Sequence, residues 1–207
     1  MSAADFRKNF AKEYLNETRQ LLDSFEEEFL DKIDEIAKVL FKARDGKKTI
    51  FVMGNGGSSS TASHFACDLS KGAMVHGIPR FRVIALTDNT PSILAWANDS
   101  AYGDIFIEQL KNLMSPGDVV IGISGSGNST NVINAIEHAN KNAGITIGLS
   151  GYDGGKLLRI AKHNIHVKSF CMERVEDIHL LINHLLTCLI REEGKNKLTK
   201  ANKKTKR

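Results

Sequence analysis

The sequence predicts an α/β domain in which helices cover both faces of a parallel sheet, with a helical extension in front of it. Two observations carry this prediction. From residue 49 onward, short β-rich apolar runs alternate with longer helical patterns. The apolar runs are continuous, as strands buried on both faces require. Ahead of them, residues 3–44 contain no Pro or Gly, and their apolar residues recur at three- and four-residue steps. Composition agrees: of 207 residues, 42% are hydrophobic and 25% charged. That suits a globular chain and excludes wholesale disorder.

The elements follow in order. Leu21, Leu22, Phe25, Phe29, Ile33, Ile36 and Leu40 form the amphipathic stripe of the extension, as one helix or two, which ends at Asp45-Gly46. The stripe is long enough to pack on a sister subunit as well as on its own domain. Strands are expected over 49–53, 82–86, 118–123, 144–149 and 164–168, and helices over 60–71, 104–114, 128–142 and 173–192. No internal repeat or linker is visible, so residues 1–193 read as one domain. The last fourteen residues hold seven Lys and Arg and no acid, which turns the chain's net +4 into −3 for the remainder. Nucleic-acid binding therefore rests on the tail alone and is not expected; 194–207 reads as a basic, disordered end. Cys67, Cys171 and Cys188 are odd in number and form no CxxC, which excludes a disulfide framework and fits a reducing compartment. With no apolar leader and no run of about 20 apolar residues, a cytoplasmic protein without a membrane partner is expected.

Two strand ends are rich in small residues. The first expected strand leads into Gly54-Asn55-Gly56-Gly57-Ser58-Ser59-Ser60, and the third into Ser124-Gly125-Ser126-Gly127-Asn128-Ser129-Thr130. In an open parallel sheet, ligands bind beyond the carboxyl ends of the strands. Glycines let backbone approach a ligand, helix-start N–H groups point outward, and hydroxyls add donors; together these suit a phosphate. Neither loop has the lysine of a P-loop, and Ser59 stands where a dinucleotide fingerprint needs its third glycine. A serine-lined sugar-phosphate site remains, against the plainer reading of ordinary turns with Ser and Asn as helix caps.

A second group of polar residues lies on helices. His64 and Asp68 are four residues apart and share a face. Glu176, His179, Leu180, Asn183 and His184 fall near one stripe of a late helix that is otherwise apolar. If the two faces meet, His64, Asp68, Glu176 and His184 bring two imidazoles and two carboxylates together. That set suits zinc or another divalent metal, and equally general acid–base work.

Gly54-Asn55-Gly56-Gly57-Ser58 followed by His64-Phe65, with Ser124-Gly125-Ser126-Gly127-Asn128-Ser129, resembles the sugar isomerase (SIS) family, and within it the phosphoheptose isomerases. Asn98-Asp99 before Tyr102-Gly103, Asp153-Gly154-Gly155-Lys156, and the helix running from Arg174 to His184 extend the likeness to about residues 10–192. The resemblance implies a three-layer sandwich around a five-stranded parallel sheet. It also implies a homotetramer with active sites between subunits, and zinc, one per subunit. The implied reaction is a ketose–aldose isomerisation of D-sedoheptulose 7-phosphate through an enediol, on the way to heptose units of lipopolysaccharide or other surface glycans.

Residue by residue, the resemblance places a metal shell on His64, Asp68, Glu176 and His184, the base on Asp68 and the partner acid on His184. Phosphate contacts fall on Ser58, Ser124, Ser126 and Ser129, sugar-hydroxyl contacts on Asn55 and Asp99, and Gly56, Gly57 and Gly125 complete the substrate-binding set. This chain departs from the family at four of its positions: Asp68 stands for Glu, Glu176 for Gln, Gly125 for Thr, and Glu173 for Asp. Asp68 is one methylene short, so Glu176 competes with it for the role of base. Two alternatives stay open: an isomerase of another sugar phosphate, and a non-catalytic relative that binds a replication initiator.

Overall fold

The computed structural model describes residues 1–205, with side chains through Lys200. Five strands, β1 (Thr49–Gly54), β2 (Arg82–Ala85), β3 (Val119–Ser124), β4 (Ile145–Ser150) and β5 (His163–His166), form one sheet in the order β2-β1-β3-β4-β5. Every pairing is parallel. The helices are α1 (Ala3–Asp23), α2 (Glu27–Asp45), α3 (Gly57–Cys67), α4 (Thr90–Asp99), α5 (Ile107–Leu113), α6 (Thr130–Lys141), α7 (Gly155–Ile160) and α8 (Met172–Thr205).

The two-residue period of the strands sorts the core into two layers. Ile50 and Val52 of β1, with Val119, Ile121 and Ile123 of β3, pack beneath α2, α3 and α8. Phe51 and Met53 of β1, with Val120 of β3, pack beneath α5, α6 and α7. This is the expected three-layer sandwich. Because β2 lies on one side of β1 and β3 on the other, the chain reverses its direction of winding between them. The crevice beyond the carboxyl ends of β1 and β3 is the topological switch point, where open sheets of this order hold their ligands. Both small-residue loops emerge there.

Several elements differ from expectation. The extension takes the two-helix form of the two expected, and what differs is that the break at Ser24 has no Gly or Pro; Phe25 and Phe29 stack at 4.1 Å just past it. α1 buries none of its residues, and its Phe6, Phe10 and Leu15 are exposed. It is tethered to α8 by Tyr14 Oη, which donates to Asp177 Oδ2 at 3.2 Å, and by the Glu17–Arg174 ion pair. α3 starts at Gly57, earlier than expected, and gives way to a π-helical turn over Asp68–Gly72. The short helices α4 and α7 are additions to the expected set.

The largest correction concerns the basic end, which is helical through Thr205 rather than disordered. Gly194 is buried, 3.2 Å from Val75 for an added Cβ, and Leu198 closes over Gly77. Lys195 pairs with Glu192 at 2.7 Å, Lys197 pairs with Glu193 at 2.9 Å, and Lys197 Nζ also lies 4.8 Å from the centre of the Phe41 ring. Helix-spaced ion pairs and apolar anchoring hold a segment whose charge alone suggested solvation. Residues 206–207 lie outside the described residues.

α8 is fastened to the sheet and to α3 by buried polar groups. His179 is fully buried, with Nε2 3.3 Å from the Ser150 carbonyl oxygen, and Asn183 Nδ2 donates to the Thr61 carbonyl at 3.4 Å. Burial pushes the His179 imidazole down to about 4. In the unfolded chain it titrates near 6.5, so between these values the unfolded state binds the extra proton. The stabilisation is therefore complete above the unfolded value and is lost as pH falls toward 4, by about 3 kcal/mol in total. Urea unfolding should show stability dropping from pH 7 to pH 4.5, and His179→Leu should flatten that slope by up to one proton. An unchanged slope would mean that burial does not hold this imidazole neutral.

Candidate active site and metal centre

The first loop carries β1 into α3. Gly56 at φ +53° makes the turn with open space around it, a conformation that suits glycine. Ser58 is buried in the first turn of α3. Asn55 and Asn131 exchange hydrogen bonds: Asn55 Nδ2 donates to Asn131 Oδ1 at 2.9 Å, and Asn131 Nδ2 to Asn55 Oδ1 at 2.8 Å. Tyr102 Oη adds a third bond to Asn55 Oδ1 at 3.0 Å. Asn55, expected to meet a sugar hydroxyl, is thus fixed in place with one amide N–H left to donate.

The second loop carries β3 into α6. Ser124 is buried, and its Oγ lies 3.0 Å from Ser129 Oγ. Ser126 Oγ accepts the Asn128 N–H at 3.2 Å, which leaves its own O–H to donate. Gly125 stands where the resemblance has Thr; a Cβ there would meet Met172 Sδ, the movable end of a side chain at the start of α8. Asp99 ends α4, is exposed, and accepts from Asn98 Nδ2 at 2.7 Å. Among the described residues no hydrogen bond joins it to either loop.

The helix-borne group assembles in part. α3 and α8 lie side by side, with Glu176 against Gly57, Asn183 against Thr61, and His184 against His64. His64 Nε2 and His184 Nε2 are 3.2 Å apart, and Asp68 Oδ2 is 3.5 Å from the first and 3.6 Å from the second. Their ligand atoms all fall within 4.8 Å of one another. Three lone-pair donors aimed at one point need a proton or a cation between them. Two imidazoles and one carboxylate, each partly open to solvent, fit a divalent metal with a coordination position to spare.

Glu176 does not join this group. It precedes His184 by eight residues, about 12 Å along a helix axis, and so meets the beginning of α3 rather than its end. A side chain at position 57 would occupy the space of the Glu176 carboxylate. The expected four-residue shell therefore resolves into a cluster of three and a separate carboxylate on the first loop.

Sequence reasoning missed Asn131, and it named Tyr102 and Asn183 without the positioning contacts that the structure gives them. Asn131, in the first turn of α6, reads in the sequence as one more polar residue near a helix cap.

The family model described as SIS domain matches residues 13–151. The chain is 36% identical over 190 residues to a phosphoheptose isomerase of Sulfurimonas denitrificans, covering 88% of this chain and 96% of that one. It is 39% identical over 183 residues to a probable phosphoheptose isomerase of Thermoplasma acidophilum, covering 88% and 98%. Among solved structures, the phosphoheptose isomerase of Neisseria gonorrhoeae superposes with a TM-score of 0.83 at 28% identity, over 89% of this chain and 98% of that one.

Proposed function

This chain belongs to the SIS-domain family, among the phosphoheptose isomerases, and from that premise we propose that it interconverts D-sedoheptulose 7-phosphate and D-glycero-D-manno-heptose 7-phosphate. The observation that carries the reading is the route of α3. It begins in a small-residue loop at the switch point and ends in the His64–Asp68–His184 cluster. One helix thus connects an anion grip to a proton- or metal-handling centre, the two things a sugar-phosphate isomerase needs.

Ser58, Ser124, Ser126 and Ser129 hold the phosphate, and Asn55 and Asp99 face the sugar hydroxyls. Binding energy from this unreacting end positions the reacting end. His64, Asp68 and His184 would hold one zinc ion, whose chemistry when bound would be positive charge beside the sugar's carbonyl oxygen. Both histidines aim Nε2 inward, so ligation uses the lone pairs that proton transfer would need. Glu176 is then the free carboxylate of the site. It removes a proton from C1 of the ketose as the C1–C2 double bond forms and the C2 oxygen gains a proton. Returning the proton to C2, with loss of the C1 hydroxyl proton, leaves the aldehyde at C1.

Several finer features go with this reading. The exposed Phe6, Phe10 and Leu15 of α1 give a face suited to neighbouring copies, which supports a homotetramer. Three free cysteines support a reducing, cytoplasmic setting, and among the described residues no helix is long and apolar enough to cross a membrane. The product suits synthesis of surface glycans such as lipopolysaccharide.

The direct test incubates the protein with D-sedoheptulose 7-phosphate, with added zinc and after chelation, and follows the aldose in deuterated water. Aldose carrying solvent hydrogen at C2 is the expected result. No turnover in either condition would overturn the reading and favour a non-catalytic member of the family.

A further inference from the structure

We infer that Asn128 is a positioning residue: it clamps the serine loop onto the β4–α7 connection and so sets the affinity for the phosphate end of the substrate. The inference rests on the phosphate reading of that loop.

Asn128 is exposed, yet its amide is fully engaged on one side. Oδ1 accepts the backbone N–H of Lys156 at 2.9 Å, while Nδ2 donates to the Ser126 carbonyl at 3.1 Å. Its own N–H donates to Ser126 Oγ at 3.2 Å. One side chain thereby joins the first turn of α7 to the middle of the serine loop, while the backbone N–H of the same residue, which substitution keeps, orients a serine hydroxyl. Backbone bonds run parallel to it. The Leu157 N–H donates to the Gly127 carbonyl at 2.9 Å, and the Gly151 N–H to the Gly125 carbonyl at 2.8 Å. The connection is itself tightened by Asp153 Oδ1, which accepts the Gly155 N–H at 3.1 Å. Gly154 and Gly155 take φ of +86° and +55°, and a Cβ at Gly155 would overlap the Ser126 and Gly127 carbonyls.

A serine loop grips a tetrahedral anion only if its hydroxyls and N–H groups already point inward, since ordering them on binding costs affinity. The clamp fixes them in advance. Lys156 offers a competing account, a cation beside the loop. Its ammonium, however, pairs with Glu137 at 2.5 Å, while only its backbone N–H serves Asn128.

The test uses the full-length protein with inorganic phosphate as probe, alongside the isomerase assay. Asn128→Ala should raise the phosphate dissociation constant and the KM for the sugar phosphate by a common factor of about tenfold, the loss of one or two hydrogen bonds. It should leave kcat within about twofold and zinc stoichiometry unchanged, a split that general loosening of the fold would not produce. Lys156→Ala keeps the backbone donor and should leave phosphate affinity within about twofold, the usual size of a surface change. Unchanged phosphate affinity in Asn128→Ala, while Ser129→Ala weakens it, would overturn the clamp alone. Phosphate affinity lost equally in Lys156→Ala would also overturn it, in favour of the ammonium. No phosphate binding by the unaltered protein would overturn the phosphate reading and the clamp with it.

Discussion

Glu176→Gln is expected to lower kcat by about 10²–10⁴-fold, the usual contribution of a positioned general base, while the protein still binds one zinc ion. The expectation follows from the separation of the two groups: Glu176 lies on Gly57 and outside the cluster of His64, Asp68 and His184. His184→Ala should behave differently. It removes one of three converging ligands and should lose zinc and turnover together, with circular dichroism unchanged because His184 is exposed. A double variant, Asp68→Glu with Glu176→Gln, installs the pair of residue types that the family resemblance implies at these positions. It should recover much of the activity lost in Glu176→Gln alone. Near-normal turnover in Glu176→Gln, measured with zinc saturating, would return the role of base to Asp68.

Gly127→Ala is expected to destabilise the protein by about 3 kcal/mol, the sum of left-handed backbone strain and overpacking. For a chain of this length that corresponds to a fall in Tm of about 10 °C. Gly127 has φ +65°, and a Cβ there would sit on the Gly154 carbonyl. Gly56→Ala is the natural comparison. Its φ of +53° is also positive, but its ψ of −124° lies in a region that only glycine enters readily; nothing lies within 4 Å of the added carbon, so it should show backbone strain alone, about 1–3 kcal/mol. Equal losses in the two variants, read by thermal unfolding, would mean that the packing of the two loops adds nothing.

The central strands β1, β3 and β4 were legible because each is a nearly continuous apolar run buried on both faces; the edge strands β2 and β5 are four residues each and carry Arg82, His163, Asn164 and His166. α2 and α8 were legible for the same reason: their buried stripes repeat at helical spacing. α4 was not, because none of its residues is buried and it leaves no periodic trace. α7 is six residues long, too short to show a period at all. The break at Ser24 lacks the Gly or Pro that usually marks one.

At the site, the glycines and serines advertised an anion, and the four-residue spacing of His64 and Asp68 placed them on one face. Whether Glu176 would join them depended on the relative slide of two helices that are over 100 residues apart in the chain. Local spacing carries no information about that slide. Asn131 and Asn128 act through single amide groups, whose partners are known only once the loops are docked.

The strand order has a kinetic meaning. β1 and β3 are direct neighbours, yet Val52 pairs with Ile121 across 69 residues of chain, with β2 and three helices made in between. Loop closure of that length comes late and slowly, since its entropy is lost before its contacts are gained. Until β3 docks on β1, the two anion-binding loops are separate peptides and His184 has no His64 to face. A phosphate group or a divalent metal would therefore find its site only in the finished molecule. They can slow its unfolding and draw the equilibrium toward the native state by mass action, but they cannot guide the chain there.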